Sequence, residues 1–69
     1  MYKPNRKEKV EQLREIISEI KRLKEEDSDN LAAFTRWAGL VIRDYLGGSD
    51  APAHHETLAA AEELLKKLE

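Results

Sequence analysis

The stretch covering residues 31–46 constrains this chain most, because it gathers the only Trp, the only Phe and one of the two Tyr residues of the sequence. Wound as a helix at about 100° per residue, it puts Leu31, Phe34, Ala38, Val41, Ile42 and Tyr45 on one broad apolar face. Such a face needs covering from two sides. The segments before and after it carry apolar residues at helical spacing and supply that cover.

In the first segment Val10, Leu13, Ile16, Ile17, Ile20 and Leu23 recur every three or four residues, with polar residues between them. Asn5 precedes this stripe as a helix cap, and Glu8 stands three residues on, an Asn version of the capping box. Met1 to Pro4 reads as a short leader, with Tyr2 placed to fold back onto the rest. The stripe ends in Glu25-Glu26-Asp27-Ser28-Asp29-Asn30, a polar turn in which Ser28 or Asp29 is expected to cap the second helix. The same acidic run lacks the glycine and the closing glutamate that a calcium-binding loop of the EF-hand type requires.

Gly47-Gly48 is expected to end the second helix, since glycine adopts the left-handed C-terminal position at little cost. Ser49 or Asp50 then caps a third helix, with Pro52 in its first turn, where a missing N–H is tolerated. Ala51, His54, Leu58, Ala61, Leu65 and Leu68 form its inward seam, and Glu62–Lys66 and Glu63–Lys67 are favourable i,i+4 pairs. No strand pattern competes. The expectation is a single all-α domain over residues 1–69, an up-down-up three-helix bundle with helices at about 5–26, 29–46 and 51–68. Trp37 and Leu64 are expected at the edges of its core, while Ala38, Ala61 and Gly39 let the second and third helices approach.

Length and charge narrow the function. A chain of 69 residues without cysteine has neither disulfides nor thiolate metal sites to reinforce a small core, so helix packing carries the stability. No apolar run reaches the roughly 20 residues that span a bilayer, and no charged-then-apolar leader opens the chain, so a soluble monomer away from the membrane is expected. Twelve basic and fourteen acidic residues alternate along the helices, which argues against the basic face that nucleic acid demands.

The alphabet of the first helix and of the end of the third is narrow, almost all Glu, Lys, Arg, Leu and Ile, with caps where helices need them. In this it resembles a computationally designed or redesigned three-helix-bundle miniprotein, over roughly half the chain. The closing Leu68-Glu69 also resembles a vector junction. The centre departs from that style, in residues 34–40 and again in Ala53-His54-His55-Glu56-Thr57.

Those departures hold the candidate functional residues. His54 and His55 are adjacent, about 100° apart on a helix, and so poorly placed to share a metal ion; His54 is expected half-buried with Asp50 in reach, and His55 exposed. The Ser and Thr residues fall at caps or surfaces, so neither catalysis nor a cofactor is expected. Leu40 lies about 140° from the centre of the second helix's apolar face, beside Ala33, Arg36 and Asp44, with Trp37 between it and the core. Ala33, Arg36, Trp37, Leu40 and Asp44 are therefore the candidate contact face for a partner protein. The other readings are a stand-alone fold design without activity, and a metal- or pH-responsive module using His54 and His55.

Overall fold

In the computed structural model, which describes residues 4–48 and 50–69, the chain forms an all-α three-helix bundle: α1 (Arg6–Glu26), α2 (Ser28–Tyr45) and α3 (Thr57–Leu68), the last preceded by a single 3₁₀ turn (His54–Glu56). The readings placed on Tyr2 and Ser49 lie outside the described residues.

α1 starts where its cap predicts. Asn5 is extended, and its side-chain oxygen accepts a hydrogen bond from the Glu8 N–H at 2.9 Å, satisfying a donor that the first turn leaves free. One residue separates α1 from α2. Asp27, at φ −152° and ψ 72°, donates its N–H to the Leu23 carbonyl and accepts the Asn30 N–H on its own carbonyl, so it closes one helix and opens the next. Asp27, and not Ser28 or Asp29, is thus the cap residue of α2; its carboxylate takes the Asn30 amide at 2.5 Å.

α2 ends at Tyr45 through a Schellman arrangement. Gly48 N–H bonds to Arg43 O at 2.9 Å and Gly47 N–H to Asp44 O at 3.2 Å, with Gly47 at φ +95°. The chain does not turn straight into a third helix. Pro52 disfavours helical geometry at the residue before it, and Ala53 is extended at φ −62° and ψ 154°, so residues 50–53 run as an open segment beside α2. The Pro52 carbonyl passes the buried Gly39, where an added Cβ would lie 3.8 Å from it. Gly39 therefore accommodates this return segment, not the third helix.

The return segment sets the sense of α3. His54 meets Thr35 in the first half of α2, and at the other end of α3 the Arg6 guanidinium donates to the Leu68 and Glu69 carbonyls, beside an Arg14–Glu69 ion pair at 2.7 Å. α3 consequently runs alongside α2 in the same direction and antiparallel to α1. Within the expected three-helix bundle the order is up-down-down in place of up-down-up, because residues 50–53 lie along α2 before the last helix begins.

The core is built from Leu13, Ile16, Ile20 and Leu23 of α1, Ala38 and Ile42 of α2, and Ala61 and Leu64 of α3. Leu64 is a core residue and not an edge residue, because the later start of α3 rotates its seam to Thr57, Ala61 and Leu64. Leu58, Leu65 and Leu68 pack partly buried around them. Thr57 is buried too, its hydroxyl donating to the Ala53 carbonyl at 3.2 Å. Among the described residues no helix is long and apolar enough to cross a membrane.

Candidate functional site: the outer face of the second helix

α2 buries Thr35, Ala38, Gly39 and Ile42, so residues about half a turn away must face outward. Ala33, Arg36, Trp37, Leu40 and Asp44 all do. Trp37 is 46% exposed and Leu40 44%, large values for apolar side chains of this size. The Trp37 ring leans on the partly buried Phe34, with centroids 5.5 Å apart and planes inclined at 46°, a tilted contact that fixes the indole against the helix surface.

These five residues form a ridge with different chemistry on its two flanks. Ala33, Arg36 and Leu40 border a depression of about 670 Å³ whose far wall is the return segment, at Ala51, Pro52 and His54. Trp37 falls on the other flank, in a trough shared with Gln12, Glu15, Ile16 and Glu19 of α1. Asp44 lies further along that trough with Glu8, Glu11, Val41 and Tyr45. The structure thus brings Ala33, Arg36 and Leu40 together, and parts them from Trp37 and Asp44 by the crest of the helix. Both flanks are open to solvent, unlike the enclosed cavities that bury most of a small ligand.

The α1 side of the ridge is acidic. Glu8, Glu11, Gln12, Glu15 and Glu19 recur at helical spacing and so share one flank of α1. Tyr45 reports the resulting field. Partial burial, followed by the Glu8 and Asp44 carboxylates, raises its phenol above the ordinary tyrosine range, while its hydroxyl donates to Gln12 Oε1. The Lys9 ammonium lies 5.3 Å from the Tyr45 ring centroid. At the other end, hydrogen bonds from Arg22 at 2.5 and 3.0 Å hold the Glu19 carboxyl below its usual range, so that carboxylate is already engaged. Glu8, Glu11, Gln12 and Tyr45 did not stand out as site residues in the sequence. The signal for the glutamates was the i,i+3 and i,i+4 recurrence of one charge sign, and Gln12 and Tyr45 had none of that kind.

His54 is exposed, and its Nδ1 lies 2.6 Å from Thr35 Oγ1, so its partner is Thr35 on α2 and not Asp50. The difference follows from the open path of residues 50–53, which places His54 in a 3₁₀ turn in place of a helical seam. His55 is exposed, with Nε2 3.4 Å from Glu56 Oε1. Among the described residues no three His, Asp or Glu side chains converge as metal ligands.

No protein-family model matches the chain, and comparison with curated proteins and with solved structures finds no significant match.

Proposed function

We propose that the chain is a non-enzymatic helical scaffold, of engineered style, that presents the outer face of α2 to a partner protein. The observation that carries this reading is the pair Trp37 and Leu40, both nearly half exposed and three residues apart on one helix. A surface position that serves only folding gains nothing from leucine over glutamate or lysine, because an exposed leucine buries little. Trp and Arg, here Trp37 and Arg36, are the residue types that most often dominate binding energy at protein interfaces. A helix is a rigid way to present them.

A stand-alone fold without activity is the second reading, favoured by the regularity of α1, whose apolar stripe and Asn5 cap suffice for folding. A metal- or pH-responsive role for His54 and His55 has less support, since the two rings are turned to separate neighbours, Thr35 and Glu56.

The Leu40→Glu and Trp37→Ala variants test the binding reading. Leu40→Glu should leave folding stability within about 0.5 kcal/mol, as for an ordinary surface change. Against a partner captured by the wild-type chain, then purified and titrated, each variant should weaken the complex by more than about 1 kcal/mol. Unfolding by Leu40→Glu, or a complex indifferent to both changes, overturns the reading.

A further inference from the structure

The acidic flank of α2 is a continuous trough, because its two stretches share Gln12 and Glu15. Val41, Phe34 and Tyr45 give it an apolar and aromatic lining, and the exposed indole of Trp37 stands at one end. Building on the docking role proposed for α2, we infer that this trough takes a basic peptide segment of the partner, with arginine or lysine side chains lying between the carboxylates and against Trp37.

Charge complementarity names the occupant. Glu8, Glu11 and Glu15 project from α1 and Asp44 from α2. Among the described residues neither stretch of the trough is lined by a Lys or Arg, and Glu8, Glu11 and Glu15 make no ion pair. Among the described residues Asp44 pairs with Arg43 alone, at 3.8 Å. The carboxylates are spread along the helix and do not converge on a point, which suits a row of cations on a chain better than one metal ion. From Glu8 to Glu15 the helix rises about 10 Å, the span of about three extended residues.

The aromatic rings add a second attraction. A guanidinium or ammonium over an indole face gains cation–π energy, more so as the site desolvates. Tyr45, one of the lining rings, already makes one such contact within the molecule, with Lys9, which lies outside the lining. An acidic segment would meet like charge along the whole α1 wall, a costly juxtaposition.

Hexa-arginine is the probe, and the fluorescence of Trp37, the only Trp, is the reporter. The expected result is a saturable change, with affinity reduced at least about tenfold in Glu8→Gln/Glu15→Gln and less than about twofold in Glu25→Gln/Glu62→Gln, which removes the same charge elsewhere. Circular dichroism should show both double variants keeping the wild-type melt. Equal weakening in the two variants, the absence of a saturable change, or preferential binding of hexaglutamate overturns the inference. The Leu40→Glu comparison leaves Glu8 and Glu15 untouched. A complex that depends on Leu40 but ignores the trough substitutions therefore keeps the docking face and rejects the basic partner.

Discussion

His54 Nδ1 lies 2.6 Å from Thr35 Oγ1, and the same hydroxyl sits 2.9 Å from the Leu31 carbonyl and 3.0 Å from that of Ala32. A hydroxyl has one proton, and the two carbonyls can only accept. All three contacts are satisfied together when Thr35 donates to a carbonyl of its own helix and accepts from the Nδ1–H tautomer of His54. The bond fastens the end of the return segment to the first half of α2, where α3 begins.

Replacing Thr35 by Val keeps the shape and removes the acceptor. Thr35→Val should lower folding stability by about 0.5–1.5 kcal/mol, the usual net worth of one hydrogen bond, with the urea m-value unchanged. Nitrogen NMR of the wild-type protein should show His54 as its Nδ1–H tautomer, and the variant should lose that preference. A stability change near zero together with an Nε2–H tautomer in the wild type would show that Thr35 does not accept from His54.

Two glycines should respond to alanine with opposite signs. Gly39 is in the interior of α2, and an added Cβ meets the Pro52 carbonyl at 3.8 Å, an ordinary contact. Gly39→Ala should stabilise the fold by about 0.5–1 kcal/mol, the gain in helix propensity. Gly47 has open space around it but holds φ +95°. Gly47→Ala should cost about 1–2 kcal/mol through backbone strain alone. For a chain of this size each kcal/mol moves the melting temperature by about 4–8 °C, so thermal unfolding resolves both.

How far the sequence discloses this molecule depends on which interactions are local. The Asn5 cap, the α1 stripe and the glycine end of α2 are each decided within a turn or two of helix, and all three form as their residues suggest. The start of α3 is not local. Pro52 suits a first helical turn as well as an extended segment, and what favours the extended path is its contact with Gly39 and the His54–Thr35 bond, both made with residues distant in sequence. Charge gives a subtler case. Lys7, Glu8, Arg14 and Glu15 alternate along the chain, yet residues seven apart share a helix face, so Lys7 and Arg14 gather beside Glu69 while Glu8 and Glu15 gather beside α2. The ridge residues of α2 were legible because their outward placement follows from helical spacing. The trough beside them was not, since half of it belongs to another helix.

Tyr45 offers a pH test of that trough. Burial, Glu8 and Asp44 raise its pKa in the folded state, so the folded protein holds the phenol proton more tightly than the unfolded chain does. The associated stability is present below the unfolded tyrosine pKa of about 10 and is lost as pH rises through the higher folded value. In a Tyr2→Phe background, phenolate absorbance should rise above the pH of an ordinary tyrosine, and Glu8→Gln/Asp44→Asn should move the transition down. An unshifted transition in both proteins would mean that the carboxylates do not face the phenol.

The direction of α3 can be read as an ordering of two distances. Lys7 and Glu69 border the same depression, next to the Arg14–Glu69 ion pair, so the end of α3 lies at the start of α1. In an up-down-up bundle residue 69 would instead lie beside the end of α1, about 28 Å from Lys7 by helical rise. The longest dimension of the bundle is 31 Å, so the two arrangements differ by nearly its whole length. The chain has no cysteine, and pairs of nitroxide labels can be placed without removing a native thiol. Labels at Lys7→Cys/Glu69→Cys should be close, and labels at Glu25→Cys/Glu69→Cys far apart. The reverse ordering would require the segment at Pro52 to turn directly into a helix, breaking its contact with Gly39 and the bond from His54 to Thr35.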